Sequence, residues 1–521
     1  MFVKGVTIIL KEKLLRKINL EILFIFIISF CFAVFANLAN IHVTHLMYGS
    51  NDGVLYGSTL SSPDNAWYLN QIKNYLNGFG FTIDPLDPIY AVRRTPGYPL
   101  FYGLHYILFG ESGAHKVIPY TQTFLHALAA VYFFKTSKLL FSNSKVAFLS
   151  ALLYGLSPFI VSFLFMTITE SLFPAMIVFA LYFAVSAHVK KSLLRCMYAG
   201  IMMAVVALIS PRNILLLLFL LPLAFYYKNL ATAQIVKLNL VFITAFIITM
   251  SPWTIRNYFV FGKFVPLETY HLNHTMEDQN IKLIALTRWW STWGSPDKDR
   301  LHGEFARDIG TATPYKSIDA FINNEVPGWV YKVESKSYLR GLLIDYHNCM
   351  LRSIQLNGGR RLRYPEMPDV YEYKVAAGFD KYSDKIVSQY PFHALVVAPL
   401  IIRGKEYIFH SAIHNWSSFD DYRTHPIKAF LKGLAYAINI FLWLFSIAYL
   451  MSSRLIYEKI LLGIVPIVSF VFLVYSRHVE GRYLIQIYPF LYLMSTLFII
   501  ETLTPALHNV LSRFYMESRS E

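Results

Sequence analysis

Ile22–Leu38, ILFIFIISFCFAVFANL, is an apolar run without a charged residue, and Lys4, Lys11, Lys13, Arg16 and Lys17 precede it. A basic start before an apolar stretch also describes a secretory leader. This run, however, is longer than a typical leader core of about 7–15 residues and lacks a small-x-small cleavage site. It reads as a retained first membrane helix with its N-terminus in the cytoplasm.

The rest of the chain repeats the pattern. Of the 521 residues, 55% are hydrophobic and only 15% charged, too little charge to cover an ordinary soluble protein. A bilayer core takes about 20 apolar residues per helix, and about ten runs of that order lie at 20–38, 117–134, 147–165, 170–187, 196–210, 212–227, 238–252, 433–451, 460–475 and 483–503. The net charge of +15 follows the loops between them. Lys135, Lys138 and Lys145 fall in one alternate connection, and Lys190, Lys191 and Arg195 in the next. Lys228 and Lys237, then Arg454 and Lys459, fall in the others, which is the positive-inside pattern of a polytopic protein rather than a nucleic-acid surface. An even number of spans returns the C-terminus to the cytoplasm.

The expected architecture is therefore an all-α polytopic membrane protein in three parts. Residues 1–252 form a membrane module of seven helices whose first outer loop is 39–116. Residues 253–432 form a large outer region, and 433–521 a second membrane module of three helices. Trp289, Trp290 and Trp293 fall in the large outer region, as does a short apolar stretch, Pro391–Ile402, too short to span and expected to lie in the interface. Cys31, Cys196 and Cys349 are far apart and propose neither a disulfide framework nor a metal site. No Walker loop, dinucleotide fingerprint, HExxH or GxSxG elbow is present.

With that topology the unusual polar residues gather on the outer face. The first loop contains SPDNAWYLNQIKNYLNGFGFTIDPLDPIYAVRRTPGYPLFYGL, residues 62–104, with Asp64 in the first turn of an amphipathic helix and Arg93-Arg94 ahead of a Pro-Gly-Tyr-Pro turn. Glu170 lies between the third and fourth spans, Arg212 between the fifth and sixth, Arg256 after the seventh, and Arg477, His478, Glu480 and Arg482 between the ninth and tenth. Arginines are disfavoured in short outer loops, and several at helix ends suit an anionic group such as a lipid phosphate. Each has an ordinary explanation as well. Asp64 would complement the helix dipole, Thr167-x-x-Glu170 would be a capping box, and any single arginine would snorkel to headgroups.

These residues also resemble a known family. An early outer-loop aspartate, the segment Arg94–Leu104 (RTPGYPLFYGL), Thr169-Glu170, the segment Ser251–Leu267 (SPWTIRNYFVFGKFVPL) and a late Arg482-Tyr483 are similar to GT-C membrane glycosyltransferases, nearest to bacterial relatives of protein O-mannosyltransferases and of the lipid A aminoarabinose transferase. The resemblance covers about 1–270 and 430–505. It implies a GT-C-like bundle that transfers a hexosyl- or pentosyl-type sugar from a polyprenyl-phosphate donor to an acceptor hydroxyl on the extracytoplasmic face of the plasma membrane, with inversion. Asp64 matches the catalytic aspartate and Glu170 the second acidic position. Arg93, Arg94, Arg212, Arg256, Arg477 and Arg482 are the candidate donor-phosphate contacts, and Tyr98, His478 and Tyr483 the candidate substrate contacts. A divalent cation at Asp64 and Glu170 is a further option, although Asn65 follows Asp64 where the family often carries Glu, which removes one ligand. The expected partners are the lipid-linked donor, membrane lipids and an acceptor that is a glycan, lipid or protein, with no nucleic acid. The competing readings are a secondary transporter or flippase of a lipid-linked or anionic substrate, and an assembly protein whose arginines only anchor headgroups. The spans hold few titratable groups, His126 being one, and no paired halves, which disfavours a transporter.

Overall fold

The structure is a computed structural model and describes residues 20–48, 55–56, 59–60, 64–85, 94–220, 223, 232–268, 281–356, 370–409, 426–452, 456–476, 481–508 and 512. Apart from one two-residue hairpin (Leu55–Tyr56 with Thr59–Leu60), the described elements are helices. The chain divides into two units, one of residues 1–269, 411–469 and 482–521, the other of 270–410 and 470–481.

In the first unit the helices are α1 (Leu20–Tyr48), α2 (Asn65–Leu76), α3 (Gly97–Phe141), α4 (Ser144–Gly155), α5 (Phe173–Lys190), α6 (Leu193–Ile209) and α7 (Thr232–Phe261). Eight helices among the described residues are long and apolar enough to cross a membrane, or nine if one bent pair counts as a span. They carry apolar side chains outward, such as Phe35, Leu104 and Ile107, as a chain solvated by lipid requires. This is an integral membrane protein.

Three of the expected boundaries change. The run at 117–134 is the second part of α3, which begins at Gly97 and is interrupted at Gly110, where φ is 68° and ψ 177°. Glu111, His115 and Lys116 dilute the apolar pattern around that break, so much of the supposed first loop is helix. The run at 196–210 is α6, with Leu193–Ile209 falling among the shorter apolar helices. The run at 212–227 opens as a 3₁₀ helix, Pro211–Phe219, and its remainder lies largely outside the described residues.

Short capped turns join these helices. Asn143 takes the N-cap of α4 and accepts from the amides of Lys145 and Val146 at 3.0 and 3.3 Å, and Ser192 caps α6 through the amide of Arg195. The consequence is a strict alternation. The basic residues expected on one face flank the C-terminus of α3, the N-terminus of α4 and the turn from α5 to α6. The opposite ends carry Arg94, Glu170 and Arg212.

One glycine fixes how those ends meet. A Cβ on Gly97 would lie 2.6 Å from the amide nitrogen of Ile209 and 2.7 Å from the carbonyl carbon of Leu208. Because those are backbone atoms that cannot rotate aside, the Pro-Gly-Tyr-Pro turn brings the start of α3 directly onto the end of α6.

The second unit is built from α8 (Ile281–Ser291), α9 (Lys298–Arg307), α10 (Lys316–Asn324), α11 (Lys336–Leu356) and α12 (Val370–Gln389), followed by a π-helix, His393–Arg403, and α13 (Gly404–Phe409). The region expected to be a large outer loop is thus a folded helical unit with its own core, and the tryptophans lie inside it. Trp289 is fully buried against Phe321, Phe379 and Tyr382. Lys282 and Glu372, both buried, form an ion pair at 2.5 Å that ties α8 to α12. Arg403 donates to the carbonyls of Ser291 and Gly294 at 2.7 and 3.0 Å. The stretch expected at the interface is this π-helix, and Leu395 and Ile401 on it are exposed. Trp289→Ala is expected to cost about 3–5 kcal/mol, the usual cost of deleting a core aromatic. Limited proteolysis should then cut within 281–409 while the helices of the first unit stay protected. Unchanged cleavage would show that the tryptophan is not central to that core.

The remaining helices are α14 (Pro426–Met451), α15 (Ile456–Tyr475) and α16 (Tyr488–Phe498), the last preceded by a second 3₁₀ segment, Gly481–Ile487. Tyr488 stacks on Phe159 at 4.9 Å, and Tyr492 donates to Ser157 at 2.5 Å, so α16 packs into the first unit beside the turn that leads to Glu170.

Candidate active site

Asp64 stands at the N-cap of α2 without capping it, since its side chain makes no bond to the helix amides. Its Oδ2 instead accepts from Arg482 Nη1 at 2.7 Å. At the N-cap the carboxylate still meets the positive end of the helix dipole, and its specific partner is Arg482. Ser62 and Pro63, which precede Asp64, lie outside the described residues.

Glu170 is not a capping residue either. It sits in a single 3₁₀ turn, Thr169–Ser171, whose N-cap position is Ile168 and shows no side-chain cap. Its side chain is 1% exposed. Oε2 accepts from the Thr169 hydroxyl at 2.9 Å. Oε1 accepts from Arg212 Nη2 at 3.2 Å, with Arg482 Nε at 3.8 Å. Two carboxylates and two guanidiniums thus form one chain, Asp64, Arg482, Glu170 and Arg212, drawn from four separate stretches of sequence.

The surroundings hold that chain in place. Arg212 donates through Nε to the Ser210 hydroxyl at 3.0 Å, and its guanidinium lies 3.8 Å over the Tyr483 ring. Arg94 lies 5.9 and 5.6 Å over the rings of Trp67 and Tyr68 on α2. Its carbonyl accepts from Gln71 at 3.1 Å, joining the first loop to the start of α3. Burial raises the Tyr68 phenol above its ordinary value, and the Arg94 cation works in the other direction. Aromatic faces leave guanidinium edges able to donate in plane, which is the geometry that receives phosphate or carboxylate oxygens.

Other expected site residues take different places. Tyr98 is fully buried, with its hydroxyl given to Gln122 at 2.9 Å, so it supports the site from beneath. Arg256 donates to the Phe81 carbonyl at 2.7 Å and to Asn257 at 3.0 Å and lies 4.8 Å over Trp253, partners that hold the loop after α2. That role also explains its motif. Gly262, at φ +65°, ends α7 and turns the chain so that Asn257 and Trp253 donate to the carbonyls of Val265 and Leu267. Arg93, Arg477, His478 and Glu480 lie outside the described residues.

Gln122 is a supporting residue that sequence reasoning passes over. It accepts from Tyr98 and, at 2.7 Å, from Ser171, and donates to the carbonyls of Leu164 and Met166 at 2.6 and 3.1 Å. One amide therefore pins the irregular segment that carries Glu170. Its signal in the sequence is the one carboxamide in α3.

The pair Asp64 and Glu170 does not fit a cation bound between them. Arg482 already bridges the two carboxylates, and a metal there would have to displace a cation that pairs with both. Among the described residues no group of three or more His, Cys, Asp or Glu side chains is placed to hold a metal ion.

No protein-family model and no curated protein matches the chain. Solved structures do. The oligosaccharyltransferase AglB from Archaeoglobus fulgidus, in complex with an inhibitory peptide and a dolichol-phosphate, is similar at 14% identity and a TM-score of 0.46, over 94% of this chain and 52% of that one. ArnT from Cupriavidus metallidurans bound to undecaprenyl phosphate is similar at 11% identity and a TM-score of 0.34, over 89% of this chain and 76% of that one. This chain spans about half the length of the first, at 52%. Identities this low say nothing about individual side chains, so the chemistry rests on the geometry above.

Proposed function

We propose that the protein is a membrane glycosyltransferase that moves a sugar from a polyprenyl-phosphate donor to an acceptor hydroxyl. The observation that carries this reading is the chain Asp64, Arg482, Glu170 and Arg212, two carboxylates and two arginines in alternation at one end of a helix bundle. The formal charges within it cancel, and Arg94 beside it adds one positive charge. That balance suits a phosphodiester that gains negative charge as its sugar leaves.

The acceptor oxygen attacks the anomeric carbon, and its proton passes to Asp64. The bond from that carbon to the lipid phosphate breaks with its electron pair on the phosphate oxygen, and one such displacement inverts the anomeric centre. Arg482 and Arg212 meet the charge that develops there, and Arg482 also orients Asp64. Glu170 keeps both arginines aimed. The site belongs on the extracytoplasmic face of the plasma membrane, opposite the basic helix ends, with both termini cytoplasmic. No step passes through a metal.

The test is binding of undecaprenyl phosphate by purified protein. Arg482→Met and Arg212→Met are each expected to weaken it at least tenfold, the scale of a lost charge-assisted contact. Wild-type affinity in both variants would remove the phosphate site from this cluster, and gradient-driven uptake into proteoliposomes without sugar transfer would favour a transporter instead.

A further inference from the structure

Two buried carboxamides beside the ion-pair chain have no hydrogen-bond partner among the described residues. Asn213 is fully buried, and neither its Nδ2 nor its Oδ1 finds a partner. Gln486 is 1% exposed, and its Nε2 and Oε1 are likewise without one. Arg212 Nη1 is a further buried donor in the same condition. Buried polar atoms are nearly always paired, because an unpaired one is desolvated without return. Two side chains with both ends unpaired therefore point to a ligand.

Their placement puts them in one strip. Asn213 lies on the 3₁₀ helix Pro211–Phe219 and Gln486 on the 3₁₀ helix Gly481–Ile487, both longer than the three or four residues usual for that conformation. With three residues per turn, Asn213 shares a face with Leu216 and Phe219, and those three are the buried residues of the segment. Gln486 shares a face with Tyr483 by the same spacing. At one end the Arg212 guanidinium covers Tyr483 at 3.8 Å, and at the other the rings of Phe219 and Phe490 lie 5.6 Å apart. These two contacts bracket Asn213 and Gln486.

We infer that Asn213 and Gln486 form a carbohydrate subsite that bonds the hydroxyls of the transferred sugar. A carboxamide offers donors and an acceptor together, and a hydroxyl answers both. A phosphate accepts only and would leave Oδ1 and Oε1 unpaired. A polyprenyl tail would leave all four atoms unpaired. Among the parts of a lipid-linked donor, the sugar, a neutral polyol, is the one that satisfies the set. The inference rests on the lipid-phosphate donor reading above and names the part of the donor that this strip reads.

The experiment compares the Kd for undecaprenyl phosphate with Kd values for undecaprenyl phosphate bearing single hexoses or pentoses. Wild-type protein is expected to prefer at least one glycosylated lipid by about tenfold. Asn213→Leu and Gln486→Met, close in volume to the native residues, should each reduce that preference to about onefold while holding undecaprenyl phosphate within about twofold of wild type. The retained lipid-phosphate affinity certifies that a variant is folded, and each is read independently of the other. Variants that keep the preference, or a wild type without one, overturn the subsite while the phosphate site stands. Parallel loss of both affinities gives the amides a structural role and overturns it too. Wild-type protein that binds neither probe overturns the subsite and the donor reading together.

Discussion

Asp64→Asn is expected to lower the transfer rate by about 10²–10⁴-fold, the usual contribution of a positioned proton acceptor. The substitution keeps the size of the side chain and its place at the start of α2, where the native carboxylate makes no capping bond. What changes is charge. The acceptor hydroxyl loses its base, and Arg482 loses the partner at 2.7 Å that holds it. The two losses act on different constants. Release of Arg482 leaves the cluster more positive and should keep or tighten donor binding, so the fall belongs in kcat and not in the donor KM. Single-turnover transfer in proteoliposomes, with donor affinity measured in parallel, separates them. A variant at wild-type speed would remove Asp64 from proton transfer, and weakened donor binding with kcat unchanged would make it an anchor for Arg482.

Much of this was legible in the sequence, and the limits have physical causes. Hydropathy found the C-terminal ends of α14 and α15, where the helices are apolar, but began both late, because Lys428 and Lys432, and then Glu458 and Lys459, interrupt the apolar pattern in their opening turns. It missed the early start of α3, because Glu111, His115 and Lys116 cluster at the break near Gly110. It read a full span after Arg212, yet composition alone does not distinguish an α-helix from the 3₁₀ segment that begins at Pro211. Trp289, Trp290 and Trp293 looked like features of a polar loop, and only long-range packing makes them the centre of a helical unit. For the site, residue types and their face were readable. Convergence was not, because Asp64 and Arg482 come from opposite ends of the chain, and no local pattern encodes their 2.7 Å contact. Glu170 shows the same limit from the other side. Its neighbourhood matches a capping box, and only the structure turns its carboxylate toward Arg212 instead of a helix amide.

That carboxylate gives the second large effect. Glu170→Gln is expected to destabilise the protein by about 3–5 kcal/mol, as removal of one partner from a buried ion pair does. Glutamine keeps the shape and can still take the Thr169 hydroxyl, but Arg212 is left with an uncompensated charge in a place where its side chain is only 17% exposed. The value belongs at the lower end of the range, because Arg482 is 24% exposed and keeps Asp64. Arg212→Met should also destabilise, since it leaves the buried carboxylate only Arg482 Nε at 3.8 Å. The double variant removes both charges and should recover part of the loss, so the two single effects exceed the combined one. Thermal melts of the four proteins in one detergent read this coupling. Strict additivity would mean that the pair does not hold the segment between α4 and α5 in place, and Glu170 would then act on the substrate directly. Strong coupling assigns Glu170 to aiming the arginines, and it separates this carboxylate from Asp64, whose loss should slow transfer without melting the bundle.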